Sequence, residues 1–268
     1  MGAEAGSHVS ERSLVTVQPV PTDFFSMHDP AHDGTFRSGP MNGLRARLHD
    51  RFHEARAQLF VDLLEPWPGA RLLDLGGGGG ALARRITRRV PLAVTVADIA
   101  QATRDEAIRL GFTHVLLSPD ADLPFRPGEF DYLLCNSVIE HVTLPKAQCA
   151  VTARVPQDVW KREARAAQKS FAQRIRTLAP SYFVQTPHKH FPIDPHVLLP
   201  FVQYLPHNHV CRLVRWTDQY WIKTCLGCVD WELLTPAVIG ELFPDANVLV
   251  ERFAGLPKSV VAWKRSVS

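Results

Sequence analysis

The sequence predicts an α/β protein built on one mostly parallel β-sheet with helices on both faces. Three observations predict it. From residue 70 onward, short apolar or β-branched runs alternate with helical patterns, the signature of crossover connections. The first run, RLLDL at 71–75, passes directly into five glycines, 76–80, a loop suited to close backbone approach to a ligand. The last two runs are joined only by AGLP, which suits a hairpin, so the final strand is expected to enter antiparallel.

Taken in order, residues 1–41 read as a tail. MGAEAGSHVSERS has no apolar centre of the kind a secretory signal needs, and HDPAHDG at 28–34 reads as an Asx-rich turn. Residues 42–65 place Leu44, Leu48, Phe52, Leu59 and Leu63 at helical spacing, with Asn42 as a candidate cap and PWPG as the stop. Strands are expected at 71–75, 93–98, 113–118, 130–135, 181–186, 247–253 and 258–263. A long helix over 156–178 is rich in Lys and Arg, which we read as a solvated face. The domain therefore runs 42–268, with a helical, aromatic-rich insertion at about 195–243 between the fifth strand and the closing hairpin.

Composition narrows the function. With 268 residues, 46% of them hydrophobic, the chain can bury the core of one large domain. A net charge of +3 demands neither nucleic acid nor membrane as partner, and no apolar run approaches the roughly 20 residues of a bilayer span. Five cysteines, 135, 149, 211, 225 and 228, are odd in number and suit a reducing cytoplasm. Cys225 and Cys228 form a CxxC with Cys211 and His209 upstream. The halves lack matching knuckle spacing, so buried or idle thiols are the simpler reading than structural zinc.

The glycine run fits two patterns. Gly76, Gly78 and Ala81 satisfy a dinucleotide-binding turn, while Asp74, Gly76, Gly78 and Gly80 satisfy DxGxGxG. Asp98, at the end of the second strand, is placed to accept from ribose hydroxyls in either case. The neighbours decide. LDLGGGGG, then ADI, then LPF and FDYLLCNSVIEHV, in this order and spacing, resemble the class I S-adenosylmethionine-dependent methyltransferases of the type 11 kind. The resemblance spans roughly residues 50–186 and resumes in the terminal hairpin.

It implies a Rossmann-like, seven-stranded sheet of order 3-2-1-4-5-7-6 with the cofactor, S-adenosyl-L-methionine, across the carboxyl ends of the first strands. It further implies that Asp74 and the turn of Gly76, Gly77, Gly78 and Gly80 face the methionyl part. Asp98 would take the ribose, Ile99 the adenine face, Asp120 or Asp122 with Ala121 the adenine amino group, and Asn136 the region of the sulfonium. The N-terminal segment of such proteins often folds over the cofactor, and Arg37 is expected to pair with its carboxylate.

QTPHKHFPIDPH, 185–196, begins where the fifth strand ends, and its prolines make it a stiff loop. The segment is similar to a bacterial subgroup carrying QTPNRxFPIEPHxLLP, departing from it at His188 and His190. Asp194 is shorter than the usual Glu, and His196 matches. Methyl transfer is an in-line displacement, so the protein supplies mainly proximity and exclusion of water, plus a base when the acceptor carries a proton. His188 or His190 is the expected base, with Asp194 orienting one imidazole. A metal-dependent alternative would join His188 or His190 to Glu140 and His141. Related metal sites carry a further carboxylate where this chain has Ser137, so the reading without a metal is preferred.

The acceptor is expected to be a small molecule, and the Arg- and Ala-rich composition suits bacterial specialised metabolism. Phe201, Tyr204, Trp216, Tyr220 and Trp221 suggest a roof over an aromatic acceptor, with at least half of these rings expected in the core. CNSV stands where methyltransferases of base amines carry a D/N-PP-Y/F motif, and no RNA-binding module is visible, which argues against nucleic acid. A cyclase or other non-methylating use of the fold stays open at this level, because a fold does not fix a reaction.

Overall fold

The computed structural model describes residues 42–119, 122–144, 153–218, 220 and 229–266. The expected tail and lid at 1–41, with Arg37, lie outside the described residues, as do Asp120, Ala121, Cys149, Trp221, Cys225 and Cys228. The strands are β1 (Arg71–Leu75), β2 (Ala93–Asp98), β3 (Thr113–Leu116), β4 (Tyr132–Asn136), β5 (Ser181–Pro187), β6 (Asn247–Phe253) and β7 (Leu256–Lys264). They form one sheet of order β3-β2-β1-β4-β5-β7-β6, as the resemblance implied. Pairs among β1 to β5 are parallel, and β7 alone runs antiparallel, to both β5 and β6. The closing link is tighter than AGLP suggested. Phe253 pairs with Leu256, leaving Ala254 (φ 48°) and Gly255 (φ 80°) as a two-residue turn whose positive φ values match strand twist.

Strand side chains divide the core by their period of two. Tyr132 and Leu134 of β4 pack toward α1 (Asn42–Leu64), α2 (Ala81–Thr87) and α3 (Arg104–Arg109). Leu133 and Cys135 pack toward α4 (Gln157–Leu178) and α6 (Pro236–Leu242). On α1 the stripe that reaches the sheet is Ala57, Phe60 and Leu64, all 0% exposed, whereas Leu59 and Leu63 only flank it. The helix is thus rotated by about one residue from the expected face, and the buried side also carries Arg56. On α4, Trp160, Ala164, Ala172, Ile175 and Leu178 are buried, so one apolar stripe faces the sheet as the charge pattern required.

The insertion contributes α5 (His207–Thr217) and a small core of its own, including Val197, Val210, Val214, Trp231 and Leu233. Here one expectation is corrected. Phe201, Tyr204, Trp216 and Tyr220 are exposed by 53% or more, because the small core is filled by aliphatic residues and Trp231. Cys135 and Cys211 are buried, the second with its Sγ 3.4 Å from His207 Nε2. None of the described helices is long and apolar enough to cross a membrane.

Candidate active site

In an open parallel sheet, ligands bind outside the carboxyl ends of strands where the order reverses, here between β1 and β4. The glycine turn leaves β1 at that point. Gly76 has φ 72° and donates to Ala97 O at 2.7 Å, and a Cβ on it would strike Val138, just past β4. A Cβ on Gly77 would overlap the Asp74 carboxylate. The turn is therefore glycine because the chain is pressed between its own strand end and the β4 exit.

Asp74 is 2% exposed, and its Oδ2 is buried with no hydrogen-bond partner. Burial, reinforced by nearby Asp98, pushes its pKa up to about 7. Asp98 is also 2% exposed, with Oδ2 accepting from Gly78 N–H and Oδ1 from Ala100 N–H, each at 2.8 Å. Burial raises its pKa, while those N–H groups work the other way. Ile99 beside it is 39% exposed and open to a planar partner. Asn136 is oriented from behind, its Oδ1 accepting from Arg56 at 2.8 Å.

Beyond β5, the two expected base candidates separate. His188 is buried and its Nδ1 accepts the backbone N–H of His190 at 3.0 Å, so the ring closes the loop on itself. Burial lowers its pKa, with His190 and Arg252 adding to the effect. His190 is exposed and its Nδ1 shares a hydrogen bond with the Tyr204 hydroxyl at 3.0 Å. Asp194 orients neither of them. Its Oδ1 accepts from His196 N–H at 2.8 Å and pairs with His196 Nδ1 at 3.2 Å, while Trp231 Nε1 donates to Oδ2 at 3.3 Å. The cause is local: an Asx turn, with the N–H groups of His196 and Val197 on Oδ1, points the carboxylate back along its own segment. Burial opposes ionisation of Asp194, yet His196 and the backbone donors outweigh it and hold the carboxyl below its usual range.

A second group assembles under His196. After β4, Ser137 takes φ 56° and a 3₁₀ turn, Ile139–His141, follows. Glu140 is 0% exposed, with Oε2 accepting from Thr186 of β5 at 2.9 Å and Oε1 buried without a hydrogen-bond partner. Burial raises its pKa, offset in part by His141 and His196. His141 Nδ1 pairs with Asp230 Oδ1 at 2.9 Å. His196 stacks on Trp231 at 4.6 Å and meets His141 edge-on at 4.8 Å. The segment carrying Asp230 and Trp231 is tied down by Glu232 N–H to Glu140 O and by a bridge between His188 and Leu234. Sequence reasoning did not identify Asp230, Trp231 or Thr186, and it paired Glu140 and His141 with His188 or His190 when the partner is His196. Only the spacing Asp194–Pro195–His196 carried a signal.

Beside this group lies a cavity of about 270 Å³ lined by Lys161, Lys189, Gln203, Tyr204, His207 and Trp231, among others. Lys189 pairs with Glu232 at 3.2 Å, and Trp160 stacks on His207 at 3.7 Å. The cavity touches both Asp194 and Trp231, which places a space of mixed polar and apolar lining against the histidine-bearing loop.

Residues 73–157 match the family described as a methyltransferase domain. A malonyl-[acyl-carrier protein] O-methyltransferase of Geobacter sulfurreducens is 38% identical over 105 residues, 37% of this chain and 38% of that protein. A ubiquinone biosynthesis O-methyltransferase of Paracidovorax citrulli is 31% identical over 107 residues, 36% of this chain and 43% of that protein. The matched stretch thus spans less than half the length of these curated relatives. In fold, the chain is similar to magnesium protoporphyrin IX methyltransferase from Synechocystis, solved with bound SAH. The TM-score is 0.51 at 16% identity, covering 91% of this chain and 97% of that one.

Proposed function

We propose that this chain, which carries a class I S-adenosylmethionine-dependent methyltransferase domain, moves a methyl group from that cofactor to an oxygen of a small-molecule acceptor. The observation that carries the reading is Asp74: a buried carboxylate with an unpartnered oxygen, held against a five-glycine turn at the carboxyl end of β1. An uncompensated buried acid costs free energy unless a cation arrives, and S-adenosylmethionine brings an ammonium and a sulfonium. When bound, that cofactor supplies a methyl group on a good leaving atom.

The residues that would hold it are Asp74, Gly76, Gly77, Gly78 and Gly80 toward the methionyl part, Asp98 at the ribose, Ile99 at the adenine and Asn136 near the sulfonium. Arg37, Asp120 and Ala121 complete the expected set. A carboxylate has about four acceptor positions, so Asp98 can take hydroxyls with those that the Gly78 and Ala100 N–H groups leave over.

His190 is the better candidate base, because it is exposed and its ring nitrogen meets a hydroxyl, Tyr204, whereas the His188 Nδ1 is committed to the loop. The cavity at Lys161 and Lys189 is the proposed acceptor site, suited to a polar molecule. The curated relatives are named O-methyltransferases, which favours oxygen over nitrogen as the acceptor atom. We place the reaction in the bacterial cytoplasm, in specialised metabolism. The test is transfer of labelled methyl from S-adenosylmethionine to a panel of hydroxyl-bearing small molecules. Label in an O-methyl product supports the reading; tight cofactor binding with no transfer across the panel favours a non-methylating use of the fold.

A further inference from the structure

We propose that Glu140, His141 and His196 bind a divalent first-row metal ion of the zinc class, contrary to the expectation from sequence that no metal is held. One candidate ligand atom from each of the three residues lies within 4.8 Å of the others. Ligands sharing one ion at about 2.1 Å sit roughly 3–4 Å apart, so side-chain rotations of about an ångström complete the set. Two histidines and one carboxylate are a donor set such ions favour, and three protein ligands leave a position for an exogenous oxygen.

Two further features point to an ion and not merely to a polar cluster. The first is Glu140, which is fully buried, with Oε1 unpartnered while Thr186 holds Oε2. A carboxylate kept this way needs a cation or a proton. The second is the outer support. Asp230 engages His141 Nδ1 and Asp194 engages His196 Nδ1, so in the proposed site Nε2 of each ring would face the ion. Carboxylate–histidine–metal pairing of this kind fixes the tautomer and raises the basicity of the ligand. Thr186, donating to Oε2, holds the carboxylate in orientation. Trp231, stacked on His196 and donating to Asp194, locks both in place.

The site is distinct from the glycine turn and borders the cavity through Asp194 and Trp231. Its role as a clamp on an acceptor oxygen rests on the methyl-transfer reading; its capacity to bind metal does not.

The experiment uses the full chain, stripped with chelator and free of S-adenosylmethionine. Cobalt(II) is titrated while the visible d–d absorption is followed, and metal content is then measured after zinc loading. The proposal expects saturation at one equivalent per chain and a rise in melting temperature with zinc. Both should be lost in Glu140→Gln and in His196→Ala, and Asp230→Asn should weaken the affinity by about 10–100-fold. Circular dichroism establishes that the variants are folded; should His196→Ala unfold, Glu140→Gln, nearly isosteric, decides alone. Absence of saturable cobalt binding, or binding by Glu140→Gln equal to that of the parent chain, overturns the proposal. Metal binding without methyl transfer to any acceptor would leave the site standing and remove the proposed reaction.

Discussion

At Asp74, a carboxylate 2% exposed with an unpartnered Oδ2 keeps its proton up to about pH 7 in the folded chain, against 3.8 ordinarily. Between those values the unfolded chain has released the proton and the folded chain has not, so this residue's contribution to stability is lost as pH rises from about 4 to about 7. His207, lowered to about 4 chiefly by burial, works in the opposite sense: its contribution is lost as pH falls from 6.5 toward 4. Asp74→Asn should therefore leave the acid-side loss intact and remove this residue's share of the decline between pH 4 and 7, a difference on the order of 4 kcal/mol at most, while the raised carboxyls of Asp98 and Glu140 keep theirs. Chemical denaturation of both proteins across that range checks it, and parallel curves would contradict it. At Gly77 the expected outcome is steric. Gly77→Ala forces a methyl group into the Asp74 carboxylate, which should destabilise by about 1–3 kcal/mol and abolish cofactor binding in calorimetry.

The loop after β5 and helix α1 carry predictions of their own. His190→Ala should reduce turnover by about 10²-fold or more while cofactor affinity stays within a factor of two or so, the expected mark of a lost base. His188→Ala should instead lower the melting temperature, because it strips the acceptor from the His190 backbone N–H. If the two variants behave alike, the division between base and brace is wrong. On α1, Arg56 donates to Asn136 Oδ1 at 2.8 Å and to Glu251 Oε2 at 3.0 Å, with only 6% of its side chain exposed. Burial opposes ionisation of Glu251, and Arg56 with the Ser259 hydroxyl outweighs it. Arg56→Ala removes the guanidinium from that buried carboxylate, leaving it the Ser259 hydroxyl and the field of Lys258, and should cost about 3 kcal/mol. Loss of the exposed Arg162–Glu163 pair should cost less than about 1 kcal/mol by comparison. Urea titrations of both variants measure the contrast.

Across the whole molecule, the sheet was legible because parallel strands buried on both faces read as short apolar runs such as YLLC, and AGLP could only be a hairpin. The glycine turn was legible for the same reason: Asp74 and its glycines are contiguous. What escaped the sequence was long-range or directional. The buried stripe of α1 includes Arg56, whose partner Glu251 is 195 residues away. Asp230 reaches His141 across 89 residues, and no spacing rule anticipates that. Asp194 was legible as an imidazole-orienting residue but not as the partner of His196, since the Asx turn that aims it depends on backbone donors at 196 and 197. The exposed rings of Phe201, Tyr204 and Trp216 defied hydrophobicity because aliphatic residues had already filled the small core of the insertion.

The most direct test of the central claim is calorimetric titration of the chain with S-adenosylmethionine. Saturable binding of one equivalent, lost in Gly77→Ala and retained in Glu140→Gln, is the predicted result. No heat of binding, or an unaltered isotherm in Gly77→Ala, would contradict it.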